Sequence, residues 1–308
     1  MKILLTGSSG MVGTRLFEVL LPYHKVTGLD VEPNKWNPKL DESTIRIDLM
    51  HRDNLNILPS DYDLVIHFAA NARVYDLVTE PDLALENIIM TFNVLEFARN
   101  RGIKRMMFAS SREAYGNIML LGPVSEDRVQ LENCESPYSA SKVGGEAMMQ
   151  AYSKVYGLET VIVRFSNVYG MYDDSDRVIP LWIRKCLKGE DLIAFGEHKV
   201  LDFTYIDDAV AGVSEIINRF SEVAGQTFNI ASGKGTLLLN VAQKIQKLLR
   251  ATNRILVKES RPGEVWKYQA DISKARELLS YRPMVSLSEG LEKTVEWYSQ
   301  YLEKGYII

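Results

Sequence analysis

Cysteine is scarce in this sequence, with only Cys134 and Cys186 among 308 residues. Two cysteines cannot build the disulfide framework of a secreted domain, so we expect a reducing compartment. Long apolar runs are also missing. The longest, such as residues 64–70, fall well below the ~18 residues of a membrane span and suit buried strands. The apolar run near the N-terminus stops at Gly7, too early for a signal peptide, and we expect a cytoplasmic protein without membrane contact.

An excess of charge and a histidine cluster are lacking as well. The 36 basic and 40 acidic side chains leave a formal net charge of −4, which argues against a general polyanion binder and a nucleic-acid partner. The four histidines (positions 24, 51, 67 and 198) are scattered without metal-ligand spacing, so we expect no metal site. We interpret His67 as a polar group at a strand end rather than a base.

What the sequence does contain is an alternation of short apolar runs with longer segments of helical spacing. The runs lie at residues 2–6, 25–30, 44–48, 64–69, 105–110 and 160–165. Val12, Leu16 and Val19 illustrate the helical spacing between them. Nearly all-apolar strands that alternate with helices predict an α/β fold, a doubly wound parallel sheet of the Rossmann type with helices on both faces.

The pattern changes after residue 166. A polar, glycine-containing loop is predicted at 167–176, with helices near 178–188, 207–220, 239–250 and 287–303 and isolated strands near 192–194 and 227–231. We therefore predict a dinucleotide-binding domain over residues 1–166, with returning segments near 200–232. A smaller C-terminal α/β lobe over residues 167–308 is predicted to bind the substrate.

The first chemical motif, TGSSGMVG at 6–13, joins the first strand to the first helix. Gly7 permits the tight turn, Gly10 lets the backbone approach a diphosphate, and Gly13 allows close packing of helix on sheet. The helix N-terminus adds free N–H groups and partial positive charge. Asp30 ends the second strand, where a carboxylate accepts both adenosine ribose hydroxyls and repels a 2′-phosphate. These features predict NAD rather than NADP.

The second motif places Tyr138 and Lys142 four residues apart after Pro137, and therefore on one face of a helix that begins there. A free tyrosine has a pKa near 10, and an ammonium ~4 Å away can lower it towards neutrality. The spacing alone also fits a surface tyrosine and a solvated lysine. Its position after a glycine-loop nucleotide fold, whose oxidised nicotinamide adds a second positive charge, predicts a tyrosine that accepts a proton. Ser110 and Ser111 end the fifth strand, where a hydroxyl can hold a substrate oxygen and relay its proton to Tyr138.

Together these motifs resemble the extended short-chain dehydrogenase/reductase family, and within it the NAD-dependent nucleotide-sugar epimerases and dehydratases of the UDP-glucose 4-epimerase kind. The resemblance covers nearly the whole chain. Its further segments are DL at 48–49, HFAA at 67–70, NVLE at 93–96, RFSNVYG at 164–170, DFTYIDD at 202–208, RPGE at 261–264 and ADISKA at 270–275. It implies a nucleoside-diphosphate sugar as substrate, with UDP as the expected nucleotide.

The resemblance also implies the residues of the site. The catalytic set it implies is Ser111, Tyr138 and Lys142, with Glu113 as a further candidate. The implied cofactor residues are Gly7, Ser9, Gly10, Met11, Val12, Gly13, Asp30, Asp48, Leu49, Phe68, Ala69, Ala70, Asn87, Ser110, Tyr138 and Lys142. The implied substrate residues are Ser110, Ser111, Arg112, Tyr138, Asn167, Arg177, Lys199 and Arg261.

The positions expected at the substrate diphosphate follow the family pattern only in part. Asn167 and Arg261 match residues that hold the substrate diphosphate, and Arg261 suits a bidentate phosphate contact. The family's arginine before Asp-Phe is Leu201 here, and Lys199 or Arg177 are candidates to replace its charge. The usual Pro-Arg after Asn-Val-Tyr-Gly is replaced by Met and Tyr at 171–172.

Glu113 leaves the reaction open, because it resembles the base that removes the C5 proton in sugar 4,6-dehydratases. The aspartate that would be their general acid is Arg112 here, which either faces a substrate carboxylate or points to solvent. We expect a C4 epimerase of the UDP-glucose/UDP-galactose or UDP-uronic acid type, which acts through transient hydride transfer to NAD and a 4-keto sugar. A 4,6-dehydratase, a UDP-glucuronate decarboxylase and a non-catalytic NAD-binding sensor are the alternatives.

The resemblance finally implies a homodimer. The contact would run through helices near 91–101 and 139–156, with Met148, Met149 and Tyr152 as candidate contact residues.

Overall fold

The computed structural model describes residues 1–118 and 122–303. Its strands are β1 (Lys2–Thr6), β2 (Lys25–Asp30), β3 (Thr44–Arg46), β4 (Leu64–His67), β5 (Arg105–Ser111), β6 (Glu159–Phe165), β7 (Asn167–Tyr169), β8 (Leu192–Phe195), β9 (Val200–Tyr205), β10 (Thr227–Ile230), β11 (Gly235–Leu237) and β12 (Ile255–Lys258). Its helices are α1 (Met11–Leu20), α2 (Pro38–Asp41), α3 (Val74–Thr79), α4 (Asp82–Asn100), α5 (Pro137–Tyr156), α6 (Val178–Lys188), α7 (Ile206–Asn218), α8 (Phe220–Val223), α9 (Leu238–Leu249), α10 (Ser273–Leu279) and α11 (Leu287–Glu303).

Seven of these strands form one parallel sheet in the order β10-β6-β5-β4-β1-β2-β3. The chain adds β2 and β3 on one side of β1 and then returns to place β4 on its other side. The carboxyl ends of β1 and β4 therefore flank the switch point at which such sheets bind ligands. The predicted doubly wound sheet is confirmed.

Side-chain alternation along the strands builds a separate core layer on each face of this sheet. Ile3 and Leu5 of β1 belong to the buried cluster that contains Leu16 of α1. Leu4, between them, belongs to the cluster that contains Val94 of α4. Successive strand residues point to opposite faces, and each buried aliphatic side chain contributes about 1.5–3 kcal/mol. The near-continuous apolar strands thus fix a three-layer arrangement.

The second half of the chain adds two small sheets. One has the order β11-β9-β7 and the other pairs β12 with β8. The predicted loop at 167–176 was wrong at its start, because residues 167–169 form β7, which pairs in parallel with β9 and buries Tyr169. Only β10 returns to the main sheet, beside β6, and α7 packs on α1. The division of the chain at residue 166 stays a prediction.

None of the helices in the described part of the chain is long and apolar enough to cross a membrane.

Candidate active site

The turn between β1 and α1 can only be built from glycine at two positions. A Cβ on Gly7, whose φ is +72°, would lie 2.6 Å from the backbone nitrogen of Ala69. A Cβ on Gly13 would lie 2.0 Å from the carbonyl oxygen of Gly7. The first turn of α1 therefore packs directly on the turn and on the chain after β4.

Gly10 has a different role, because it is the N-cap of α1 and no side chain caps this helix end in the described structure. A Cβ on Gly10 would meet only the carbonyl oxygen of Gly7, at 3.4 Å. The space above the helix N-terminus is therefore open to a ligand, and the backbone N–H groups there favour an anion. The turn fits the diphosphate of a dinucleotide.

Asp30 ties this turn to the end of β2. Its carboxylate accepts hydrogen bonds from the backbone N–H of Ser9 at 2.9 Å and of Glu32 at 3.0 Å. A carboxylate offers about four acceptor positions, so two remain for the hydroxyls of a ribose. The residue both orders the turn and suits adenosine recognition.

A cavity of about 920 Å³ opens at the carboxyl ends of the central strands. It is lined by most of the predicted site residues: Gly7, Ser9, Gly10, Met11, Val12, Gly13, Asp30, Leu49, Phe68, Ala69, Ala70, Ser110, Ser111, Arg112, Glu113, Tyr138, Lys142, Asn167, Arg177, Lys199 and Arg261. They come from separate strand ends and loops, from the start of α1 and from α5, so the fold brings distant segments of sequence into one wall.

Asp48 and Asn87, predicted to contact the cofactor, are not among the described residues that line this cavity. Asp48 accepts a hydrogen bond from the backbone N–H of Met50. Asn87 is buried and exchanges hydrogen bonds with the backbone of Asn71 at 2.7 and 3.0 Å. It also donates to the hydroxyl of Ser141 on α5, so it supports the wall of the cavity from behind.

The N-terminus of α5 positions the proposed proton acceptor. Ser136 caps the helix in a reciprocal box with Ser139, and proline occupies the first helical position. Tyr138 consequently lies in the first turn, and Lys142 follows one turn later with its ammonium 5.7 Å from the Tyr138 ring centre. The Ser111 hydroxyl lies near enough to the Tyr138 phenol to favour its ionised form. The three predicted catalytic residues therefore converge.

Burial sets the ionisation of this group. It raises the pKa of Tyr138, against the opposing effect of the Ser111 hydroxyl. The lowered pKa expected from the sequence includes the charge of oxidised nicotinamide and stays a prediction. Burial also lowers the pKa of Lys142 to about 8, while the charge of Glu146 opposes this shift. Both groups are enclosed, and removing a charged form from water outweighs their mutual attraction.

Arg112 and Glu113 form a buried ion pair beside Ser111. The Arg112 Nη2 lies 2.7 Å from the Glu113 Oε1, and the two residues are 9% and 3% exposed. Arg112 therefore does not point to solvent. Burial raises the pKa of Glu113, and the Arg112 and Lys199 charges oppose that shift. A second buried pair lies nearby, between Lys199 Nζ and Glu264 Oε2 at 2.6 Å.

The residues expected at the diphosphate come from the second half of the chain. Asn167 donates a hydrogen bond of 3.0 Å to the backbone carbonyl of Asp202. The Arg261 guanidinium lies between two aromatic rings, 4.0 Å from the centre of Phe195 and 4.7 Å from that of Tyr75. Leu201 is buried and lines the cavity. An arginine held by stacking keeps its donors available for an anion.

Tyr172, which stands where the family pattern has arginine, has a φ of +67° and joins an aromatic cluster. Its ring centre is 6.0 Å from that of Trp36 and 5.6 Å from that of Trp297 on α11. Its hydroxyl donates to the carboxylate of Glu18 at 3.0 Å. Tyr172 therefore supplies no cation at this position, and instead links α11 to the rim of the cavity.

The sequence prediction missed a buried network behind Ser110. The Ser110 hydroxyl donates to Glu146 at 2.5 Å, and Arg164 binds the same carboxylate with two bonds of 2.8 and 2.6 Å. The proton of the Ser110 hydroxyl is thereby directed to Glu146, and its substrate contact stays a prediction. The signal was present, since Glu146 follows Lys142 by four residues on the same helix face.

His67 lies under the cofactor turn. Its ring nitrogens contact the hydroxyls of Thr6 at 2.8 Å and Thr91 at 3.2 Å. Burial and the charge of Lys142 lower its pKa to about 3, which keeps the ring neutral. In the residues that the structure describes, no group of three or more side chains could hold a metal ion.

Known proteins resemble this chain over nearly its full length. A putative UDP-glucose 4-epimerase from Methanocaldococcus jannaschii is 32% identical over 310 residues, covering 96% of this chain and 97% of the relative. The structure of a UDP-glucuronic acid 4-epimerase from Bacillus cereus, with UDP-glucuronic acid and NAD, superposes with a TM-score of 0.90 at 31% identity. The match covers 97% of this chain and 99% of the Bacillus cereus chain.

A dehydratase is equally similar in fold. The dTDP-glucose 4,6-dehydratase of Streptomyces venezuelae, solved with NAD, gives a TM-score of 0.90 at 27% identity, with 99% of this chain and 98% of that one covered. NAD is the cofactor of this protein, and the glycine turn and Asp30 fit it. The model of the NAD dependent epimerase/dehydratase family matches residues 3–231. The chain belongs to the NAD dependent epimerase/dehydratase family.

Proposed function

We propose that this protein is a C4 epimerase of UDP-sugars. Tyr138 accepts the proton of the sugar 4-hydroxyl, and Ser111, whose hydroxyl lies near the phenol, stands in the path of that proton. The glycine turn and Asp30 would hold NAD, which would supply the acceptor and donor of the C4 hydride. The net reaction is an inversion at C4 without redox change.

Lys142 stabilises the ionised phenol in this proposal. Its ammonium is fixed by a hydrogen bond of 2.9 Å to the backbone carbonyl of Ala109 and lies beside the Tyr138 ring. A fixed cation needs no rearrangement when the phenol loses its proton, which is where such preorganised charge contributes most. Lys142 is also the residue that would hold the nicotinamide ribose.

The observation that carries the proposal is the Arg112–Glu113 ion pair. A 4,6-dehydratase needs a base for the C5 proton and an acid for the departing 6-hydroxyl. Arg112 occupies the position of the acid, and a guanidinium does not release a proton in proteins. Glu113 is bonded to that arginine at 2.7 Å. The pair therefore supports epimerisation over elimination.

The remaining substrate residues act as anchors. Arg261 and Asn167 bind the diphosphate, so the nucleotide stays fixed while the 4-keto sugar turns over. The cavity of about 920 Å³ lies at the upper end of the usual range for ligand sites, which suits a site for a dinucleotide and a nucleotide sugar. The contacts that hold the substrate are thus separated from the bond that reacts.

Glu113 supports the second candidate, a 4,6-dehydratase or a UDP-glucuronate decarboxylase. It is buried beside Tyr138 and its pKa is raised, as in many general acids and bases. The third candidate is an NAD-binding sensor, which would need no proton acceptor.

Sugar NMR after incubation with UDP-glucose and with UDP-glucuronate separates these candidates. We expect the C4 epimer of the substrate. A 6-deoxy-4-keto sugar or released carbon dioxide would instead identify the second candidate, and binding of NAD without any turnover would identify the sensor.

A further inference from the structure

We infer that the Arg112–Glu113 pair restricts this enzyme to neutral sugars, such as hexoses and acetamido-hexoses, and excludes uronic acids. This inference rests on the epimerase activity proposed above and names its substrate class. Arg112 alone would be a receptor for a sugar carboxylate. Its ion pair with Glu113, at 2.7 Å, removes that property.

The charges that line the cavity are balanced. Seven cationic side chains line it: Lys35, Arg73, Arg112, Lys142, Arg177, Lys199 and Arg261. Seven carboxylates line it as well: Asp30, Glu32, Glu113, Asp173, Asp174, Asp176 and Glu264. The ligands proposed for this cavity bring a diphosphate each, so any cation that is already paired is unavailable to a further anionic group.

Five of the seven cations have carboxylate partners. Besides Arg112 and Glu113, the pairs are Lys199 with Glu264 at 2.6 Å, Arg177 with Asp173 at 3.6 Å, Arg73 with Asp76 at 3.4 Å and with Asp176 at 3.5 Å, and Lys35 with Asp174. Of the seven cations that line the cavity, only Lys142 and Arg261 lack a carboxylate of the described residues within ion-pair distance. Lys142 belongs to the Tyr138 site, and Arg261 is assigned to the diphosphate.

The Arg112–Glu113 pair lies close to the reacting atoms. The charges of Glu113, Arg177 and Arg112 all act on the Tyr138 phenol. A sugar whose 4-hydroxyl reaches Tyr138 therefore places its neighbouring substituent near this pair. The carboxylate of a uronate would add a third charge beside the carboxylate of Glu113. Glu113 is 3% exposed and already paired with Arg112. Burying an unpaired charge next to a like charge is strongly unfavourable.

A neutral substituent suits the same place. Arg112 Nη1 and Glu113 Oε2 are buried and have no hydrogen-bond partner among the described residues. One is a donor and the other an acceptor. A hydroxyl can accept from the first and donate to the second, and an acetamido group can do the same with its carbonyl and N–H. A carboxylate can only accept.

The test is the ratio of kcat/KM for UDP-glucose to that for UDP-glucuronate. We expect the wild type to prefer UDP-glucose by at least about 100-fold. In Glu113→Gln the freed guanidinium should improve the relative kcat/KM of UDP-glucuronate by about tenfold or more. Glu159→Gln, which removes a paired carboxylate outside the cavity, is the matched control and should leave the ratio unchanged.

A double variant separates charge from structure. Adding Arg112→Met to Glu113→Gln removes the freed cation and should abolish the gain for UDP-glucuronate. The inference is overturned if the wild type uses UDP-glucuronate as well as UDP-glucose, or if Glu113→Gln leaves the ratio unchanged. If Glu113→Gln does not fold, the wild-type ratio decides the question.

Failure of the proposed epimerase activity is a separate result. It would be seen as no C4 epimer from either sugar. In that case, calorimetric titration of the NAD-bound protein measures the Kd of UDP-glucose and of UDP-glucuronate. Tighter binding of UDP-glucose supports the inference, and equal or reversed affinities contradict it.

Discussion

Tyr138 and Lys142 lie on one face of α5, and burial drives each towards its neutral form. The phenol holds its proton more firmly than free tyrosine, and the ammonium holds its proton less firmly than free lysine. Within the chain, the Ser111 hydroxyl and the charges of Arg177 and Arg112 favour the phenolate. We therefore expect Tyr138 to act as a base at neutral pH only when the positive charge of oxidised NAD lies beside it.

Tyr138→Phe removes the proton acceptor but keeps the buried ring. We expect turnover to fall by about 10²–10⁴-fold or more, because positioned proton transfer supplies that much, while NAD still binds. Tyr156→Phe, at an exposed position of the same helix, is the control and should retain full activity. Turnover of Tyr138→Phe close to that of the wild type would exclude this residue as the base.

Lys142→Met should stabilise the fold at neutral pH while abolishing activity. The unfolded chain releases the lysine proton near pH 10.4 and the folded chain near pH 8, so between these values only the unfolded state holds it. Stability from this group therefore rises with pH through that window, and below about pH 8 the cost of the buried charge is fully present. It amounts to at most about 3 kcal/mol.

Urea unfolding of both proteins at about pH 7 and about pH 10 measures this effect. The free energy of unfolding of Lys142→Met should exceed that of the wild type most at the lower pH. The lost hydrogen bond to Ala109 reduces this gain by about 1 kcal/mol. A difference between the two proteins that is independent of pH would contradict the shifted pKa of Lys142.

At the scale of secondary-structure elements, the segment from β1 through α1 to β2 is the part that the sequence predicts best. Gly7 and Gly13 occupy positions at which a Cβ would collide with backbone, and the spacing of these glycines is visible in the sequence. The cap of α5 is equally local, because Ser136 and Pro137 stand directly before Tyr138. β7 was missed because three residues are too short to show strand alternation.

Two glycines of the β1–α1 turn should separate folding from cofactor binding. Gly13→Ala places a Cβ 2.0 Å from a backbone oxygen and should lower both the Tm and NAD affinity. Gly10→Ala has only a contact of 3.4 Å within the protein, so it should retain most of its Tm yet bind NAD more weakly by about tenfold or more.

Thermal unfolding and NAD titration of the two glycine variants provide the measurement. Equal losses of Tm in both would mean that Gly10 is required by the fold rather than by the diphosphate.

At the scale of the whole molecule, the features that the sequence could not predict depend on contacts between distant segments. Arg261 is enclosed by Tyr75 and Phe195, which are separated from it by long stretches of chain. The pairing of Lys199 with Glu264 is of the same kind. Arg112 and Glu113 are neighbours in sequence, but their burial depends on the C-terminal segment, including Tyr268 beneath the guanidinium.

The homodimer and the cytoplasmic location also belong to this scale, and both stay predictions. α4 and α5 pack together and expose apolar side chains, among them Phe92 at 41% and Val155 at 69%. Met149, a candidate contact residue, is fully buried in the core, so that assignment was wrong. Tyr152 donates a hydrogen bond of 2.9 Å to Glu96 of α4.

We expect the wild type to be a dimer at micromolar concentration and Phe92→Glu to be a monomer, because a charge at a buried apolar contact is strongly unfavourable. Sedimentation velocity measures both masses. A wild-type monomer at that concentration would refute the dimer.

Incubation of the holoenzyme with UDP-glucose in D₂O, followed by proton NMR of the sugar, tests the central claim most directly. Because the hydride taken from C4 is returned to C4, we predict the C4 epimer with no deuterium bound to carbon. Deuterium at C5, or a 6-deoxy-4-keto product, would show that a C5 proton is removed and would contradict epimerisation at C4.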